Sequence, residues 1–333
     1  MKIRIKTLSP IHIGSGFEIS PLEYYREKSD FIRVDMDSLF KDSDFIPIMD
    51  SFAASAVSDR SIASLVNKEI LEKHPLYIVK GIGEAVQANQ TTIKEFIKSA
   101  GRVYLPGSSL KGLLLSSLCW YVLSEDYKSN ELTVTFKKHY ETMTLPVADY
   151  IRENLISSRD GYKELLGYVL SRVTGRKAHN NSIEPDAFGQ WLKVTDSNLQ
   201  SPSQCLQVCL VQVTGGRESQ IPILFETLKP GTLWEMELQT TSRIPPVQYL
   251  KICNAYFNKI ANIERIKFNR TPDTNLIRMG QGASMFSTSF YLLAESIGLL
   301  EEYCQSQNLH RPVTSKRVKG QIPLGWAEVS CYE

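Results

Sequence analysis

At 333 residues, 42% hydrophobic and 10% aromatic, the chain is long enough for about two domains and rich enough in apolar residues to build cores, which excludes a disordered or low-complexity protein. Its formal charge of +2 is too small to mark a nucleic-acid binder by the total alone. Any such argument must come from how the charge is distributed.

The amino terminus, Met1-Lys2-Ile3-Arg4-Ile5-Lys6, alternates charge with isoleucine. That period of two predicts a half-buried strand over residues 2–8, and no apolar stretch of a secretory signal is present. The longest apolar run is shorter than the roughly 18 residues that cross a bilayer, so a cytoplasmic protein without membrane contact is expected. Residues 31–36 (FIRVDM) read as a second strand, and 45–74 and 91–100 as helical. A buried helix is predicted over 109–124, where the apolar run from Leu113 through Leu123 is broken only by Ser116 and Ser117, with Ser108 or Ser109 as its cap. Residues 137–180 carry a helical, tyrosine-containing pattern that ends in the polar loop 175–181. Strand-like pieces follow at 190–195, 205–213, 221–228 and 232–241, then a helix over 247–263. Each half holds a few strands and a helix, which predicts an α+β protein of tandem units, 1–188 and 189–333.

The six cysteines (Cys119, Cys205, Cys209, Cys253, Cys304, Cys331) are scattered, with no C-x-x-C pair and no histidine at ligand spacing. Reduced thiols are expected, and no metal or other cofactor. Positive charge concentrates late in the chain, in Arg265, Lys267, Arg270 and Arg278 against Asp273 alone, and in Arg311, Lys316, Arg317 and Lys319 against no acid between Tyr303 and Ala327. A solvated loop explains one such run. Two runs that bracket a glycine-rich loop point toward an anionic partner.

Three glycine-containing turns are candidate contacts. The first is SPIHIGSGFEISP, with Gly14, Ser15 and Gly16 after a strand, readable as a tight hairpin or as a loop that lets a phosphate approach. The second is LPGSSLKG. Its Lys111 precedes Gly112 instead of following it, so it is not a Walker-type loop. Lys111 falls in the first turn of the predicted helix, where the helix dipole disfavours a cation unless an anion comes. The third is IRMGQGAS, where Arg278 leads into Gly280, Gln281 and Gly282. A fourth stretch, LYIVKGIGEAV, places Gly81 and Gly83 as a dinucleotide fold would, but Val86 stands where a third glycine belongs, which keeps a nucleotide-dependent enzyme only as an alternative. No hydrolase elbow, zincin motif or carboxylate cluster is present. His12 could act as a general acid or base in metal-independent RNA cleavage, or point to the polar face of an extended segment.

LSPIHIGSG with ISPLEYY, YLPGSSLKG near residue 110, IRMGQGAS near 280 and LGWAEV near the carboxyl end, in this order, resemble the RAMP proteins of type III CRISPR effector complexes, nearest those of the type III-A (Csm) group. The resemblance covers most of the chain. It implies tandem ferredoxin-like (RRM-like) units with helical insertions that bind CRISPR RNA. It also implies a subunit that caps the 3′ end of the guide beside the repeated Csm backbone subunit and supports guide maturation in antiviral defence without being the nuclease; target RNA and host trimming nucleases are further expected partners. Joined to the residues, it names an expected RNA-binding set: His12, Gly14, Ser15, Gly16, Gly107, Ser108, Ser109, Lys111, Gly112, Arg278, Gly280, Gln281, Gly282, Lys316, Arg317 and Lys319. Phosphate is the expected anion at Lys111. Recognition by backbone and shape is expected, because these loops lack the aromatics of an RRM's base-stacking motifs.

Overall fold

The computed structural model describes residues 1–56, 61–81, 92–138, 141–157, 161–175, 190–214, 223–282, 284–309, 315–318 and 322–332. One sheet of five antiparallel strands runs in the order β11 (Leu192–Val194), β14 (Leu233–Thr240), β1 (Lys2–Thr7), β18 (Trp326–Tyr332), β15 (Asn275–Arg278). A second, of six strands, runs β17 (Ile322–Pro323), β16 (Ser315–Val318), β12 (Leu206–Thr214), β13 (Ile223–Leu228), β6 (Ile93–Phe96), β2 (Gly14–Ile19), with β13 and β6 parallel. A third sheet of three strands is formed by β3 (Tyr24–Glu27), β4 (Asp30–Val34) and β5 (Pro75–Val79), and two small pairs by β7 (Lys98–Ser99) with β8 (Arg102–Val103) and β9 (Thr133–Lys138) with β10 (Glu141–Pro146).

The α+β class is as expected, and the alternation read in β1 is real: Ile3, Ile5 and Thr7 are buried while Lys2 and Arg4 face solvent. The central helix, Gly107–Tyr127, and a later helix, Pro246–Ile263, join Ile3, Ile5, Trp234 and Met236 in the main core, where Ser117 Oγ meets Cys253 Sγ at 2.9 Å. Taken in chain order, β1, central helix, β11, β14, later helix and β18 form a β-α-β-β-α-β series in which β18, β1, β14 and β11 are neighbours in that order. That is the ferredoxin-like arrangement of elements. β15 adds an edge strand. Each of the two large sheets joins the stretches 1–188 and 189–333: β1 lies between β14 and β18, and β6 lies against β13.

Two helical expectations are corrected. Residues 93–96 form strand β6, because Ile93 and Lys94 pair with Leu224 and Phe225 while β2 closes the other side. The pattern expected to be helical from 137 opens instead on the β9–β10 hairpin, whose far strand runs to Pro146, and the helices Val147–Ile156 and Gly161–Thr174 follow. The 45–74 segment does contain helix, in short pieces, packed with β3 and β4 around a small separate core of Tyr25, Ile32, Leu39, Phe45 and Phe52.

Between the two large sheets runs the linker Leu8–Ile13. Leu8 and Ser9 donate their N–H groups to the Trp326 carbonyl, and the carbonyls of Pro10, Ile11, His12 and Ile13 accept from Gly325, Leu228, Gln281 and Ile97 at 2.8–2.9 Å. Close by is the largest buried cation. Arg278 is 1% exposed, donates from Nη1 to Glu264 Oε1 at 2.6 Å and from Nε to the Leu324 carbonyl at 3.1 Å, and stacks 4.9 Å from the Trp326 ring. Arg278→Ala would leave Glu264, itself 4% exposed, as an unpaired buried charge. The expected loss is about 3–5 kcal/mol of stability, read from the denaturant midpoint. Arg278→Lys is expected to recover little of it, because one ammonium cannot span the same acceptors.

Candidate nucleic-acid interface

Three segments far apart in sequence meet beside the six-stranded sheet, in which β2 and β16 lie toward opposite edges. Gln281 donates its backbone N–H to the His12 carbonyl at 2.9 Å. Gly280, at φ +74°, lies so close that a Cβ there would collide with the same oxygen, and one on Gly282 would strike the Leu324 backbone. A Cβ on Gly14 would stand 3.1 Å from Gln281 Nε2 and 3.2 Å from His12 Nε2. From β16, Lys316 Nζ donates to Gln281 Oε1 at 3.4 Å and sits 5.7 Å from the Phe225 ring centroid. The SPIHIGSG, MGQG and SKRV segments thus form one place.

The charge there is unbalanced. Lys94 and Lys316 stand near enough that Lys94, after burial, helps lower the Lys316 pKa. Lys94 pairs with Glu18 at 2.9 Å. Among the described residues no carboxylate pairs with Lys316. A half-buried ammonium with a second cation nearby and no acid of its own is an electrostatic invitation to an anion. Lys98, by contrast, is spent inside, at 2.7 Å from Glu226, a fully buried carboxylate that also accepts from Tyr77 Oη at 2.6 Å and from the Phe96 N–H at 3.0 Å.

His12 is fully buried, its ring edge-on to Phe225 at 4.6 Å between centroids. Nδ1 lies 2.7 Å from the Glu226 carbonyl, which only accepts, so Nδ1 carries the proton and Nε2 is a bare acceptor. Burial, aided by the charges of Lys316, Lys94 and Lys98, lowers its pKa to about 4. The imidazole is therefore neutral near pH 7 and closed to a substrate. It props the junction from beneath, and its place in the expected contact set is corrected on that ground.

The LPGSSLKG segment lies at the start of the central helix, with Pro106 as the capping residue in place of Ser108 or Ser109. The anion that the first turn called for comes from the chain itself: Gly107 N–H donates to Asp196 Oδ1 at 2.7 Å. Gly107 is buried, and a Cβ on it would collide with the Val194 carbonyl, so it serves packing and not phosphate approach. Ser108 and Gly112 are exposed, Ser109 and Lys111 half-exposed. These four keep accessible donors or open space.

Arg278 is corrected likewise, its charge being committed to Glu264. Gly280 and Gly282 serve close backbone packing. Ser15, Gly16, Gln281, Lys316 and Arg317 keep some exposure. Lys319, Arg311, Gly83 and the loop beyond Gly175 lie outside the described residues. The dinucleotide alternative loses its scaffold, since β5, which leads to Gly81, pairs antiparallel with β4 and lies in no parallel sheet. Lys94, Phe225 and Phe17 were missed. Lys94 sits in a stretch with helical spacing, and Phe17 follows directly on the glycines of GSGFEIS, with no aromatic partner near it in sequence.

Among the described residues no helix is long and apolar enough to cross a membrane, and no group of three or more His, Cys, Asp or Glu could hold a metal. The chain is 31% identical over 240 residues to a protein of Methanocaldococcus jannaschii named CRISPR system Cms protein Csm5, a match covering 70% of this chain and 51% of that one. It is 27% identical over 260 residues to a Mycobacterium tuberculosis protein of the same name, covering 69% and 64%. The chain thus spans about half the length of the first relative and less than two thirds of the second. Two solved structures share its fold. One is a chain from a cryo-EM structure of a Csm–crRNA–target RNA ternary complex of a type III-A CRISPR-Cas system, with a TM-score of 0.67 and 19% identity over 99% of this chain and 100% of that one. The other is Csm5 of T. onnurineus, with a TM-score of 0.65 and 22% identity over 97% and 99%. The model of the RAMP superfamily matches residues 4–276. With most of its length matched, the chain belongs to the RAMP superfamily.

Proposed function

We propose that this protein is a Csm subunit of a type III-A CRISPR effector that binds CRISPR RNA, caps the 3′ end of the guide beside the repeated backbone subunit and supports guide maturation in the cytoplasm without cutting RNA. Target RNA and trimming nucleases are its further partners on this reading. The observation that carries the RNA contact is Lys316: a half-buried ammonium near a second cation, with no carboxylate of its own among the described residues, where two glycine-containing segments meet β16. A phosphodiester supplies the missing charge, and the Gln281 side-chain amide beside Lys316 suits a sugar–phosphate track. Ser108, Ser109, Lys111 and Gly112 form a second contact, Arg317 extends the first, and Lys319 is expected to bind RNA from its place in the same basic run of the sequence. The likeness to a subunit of a complex that contains crRNA supports the reading.

The rival, a His12-dependent ribonuclease, needs an imidazole that reaches substrate and titrates near neutrality. Burial and a pKa of about 4 weigh against it. A histidine neutral in the fold but free to protonate when unfolded stabilises the protein fully above about pH 6.5, and that stability is lost as pH falls toward 4. The full effect is about 3 kcal/mol at 1.36 kcal/mol per pKa unit. His12→Gln keeps a donor for the Glu226 carbonyl and cannot take up that proton. Urea midpoints measured from pH 7 to pH 4.5 should therefore fall less steeply for His12→Gln than for wild type, and labelled repeat RNA in EDTA should stay intact with both. Specific cleavage lost in His12→Gln would restore the rival.

Lys316→Ala should lower affinity for single-stranded RNA about equally for unrelated sequences, and reduce the slope of log affinity against log salt by roughly 0.7. Its melting temperature should hold, since the ammonium is desolvated without an ion-pair partner among the described residues. Lys111→Ala, read in the same titration, tests the second contact. Parallel salt lines of equal height for wild type and Lys316→Ala would sink the phosphate role.

A further inference from the structure

Strand β2 pairs with β6 at Gly14 and Phe96, then next at Glu18 and Lys94. Residues 15–17 therefore bulge out opposite Glu95 alone. The bulge is pinned: Ser15 Oγ donates to Glu95 Oε2 at 3.1 Å and accepts from the Phe17 N–H at 3.1 Å. Gly16, at φ +93°, makes the turn, and no atom lies within 4 Å of where its Cβ would be, so the glycine answers to backbone conformation and not to crowding. The product of this construction is Phe17, 75% exposed, the most exposed large apolar side chain among the described residues. A lone surface phenylalanine on a floppy loop would need no explanation. This one is held outward by a side chain bonded to its own backbone, on the strand whose first residue touches Gln281, which accepts from Lys316.

We infer that Phe17 is a stacking platform for one unpaired base of single-stranded RNA whose backbone passes Lys316. The inference rests on the RNA-binding reading above and adds to it a base contact. Every base has a π-face, so the platform holds a nucleotide in place without demanding its identity, and it suits a strand end whose last base has no neighbour on one side. The Gln281 amide, bonded to Lys316, is at hand for the sugar. An exposed aromatic could equally meet an apolar surface of another protein, and the test separates the two.

The test titrates the purified full chain with single-stranded RNA, some strands carrying an abasic site at each position in turn, for wild type, Phe17→Ala, Phe17→Trp and Phe17→Leu. The platform predicts about a tenfold loss of affinity in Phe17→Ala, recovery in Phe17→Trp but not in Phe17→Leu, and a salt slope equal to wild type because the lost contact is uncharged. It also predicts that one abasic position weakens wild type but not Phe17→Ala. Melting temperatures should match throughout, given the exposure of the residue. Equal RNA affinity of Phe17→Ala and wild type overturns the platform and leaves the RNA reading standing. So does leucine serving as well as tryptophan, or a defect seen only in co-assembly with neighbouring subunits, which would make Phe17 a protein contact. Failure of wild type itself to bind RNA overturns both.

Discussion

The six residues from Leu8 to Ile13 hold the two large sheets together, because their backbone groups are answered by segments distant in the chain. The carbonyls of Pro10, Ile11, His12 and Ile13 take N–H groups from Gly325, Leu228, Gln281 and Ile97, and Trp326 closes the other side by donating its N–H to Ser9 Oγ. Buried backbone groups cannot be left unpaired, so this linker can lie inside only when all of those partners are in place. Such pairing is non-local, and it makes the folding of both sheets one event instead of two. It also explains why glycines crowd around it. Gly280 and Gly282 bring backbone against backbone where a side chain would intrude.

The same constraint sorts the polar residues into those used by the scaffold and those left over. Arg278, His12, Lys98 and Glu226 lie within or beside this buried junction, where the charged ones are ion-paired and His12 is kept neutral. Lys316 is what remains at the rim once the interior pairs are made. An interface defined by leftovers is small, but it is rigid, because the groups that hold it belong to the part of the fold with most to lose by moving.

What was legible in the sequence follows from range. Local signals held: the alternation of Ile3 and Ile5 in β1, the apolar run of the central helix, and Pro246–Ile263, each set by residues within a few turns. Residues 93–97 place Ile93, Phe96 and Ile97 at helical spacing, and only the distant β13 and β2 turn that stretch into a strand. Around Lys111 the physics of a helix start was legible, but not that the chain itself answers part of it. A helix start did want negative charge, and Asp196, 89 residues away, supplies it. In the same way a cation beside a glycine loop looks alike in sequence whether it meets a phosphate or Glu264. Gly14, Gln281 and Lys316 were each singled out, but nothing in one dimension said that they meet.

A small interface on a nearly neutral protein has a consequence for how such a subunit would hold RNA. Affinity for a nucleic-acid backbone grows with the number of phosphates neutralised, each worth a fixed increment of salt dependence. Of the expected cations, Arg278 is consumed internally, Lys316 and Lys111 have no ion pair among the described residues, and the net charge is +2. One or two phosphate contacts cannot by themselves make a tight or long footprint. On the reading proposed here the isolated subunit binds single-stranded RNA weakly and gains a firm hold from position: neighbouring subunits carry most of the strand, and the effective concentration of its end near Lys316 is then high enough for a short contact to suffice. A cap needs no more than that. A long basic groove would compete with the backbone subunits for the guide's interior, whereas a compact site of one ammonium and one rigid bulge can bind only where the strand is already delivered.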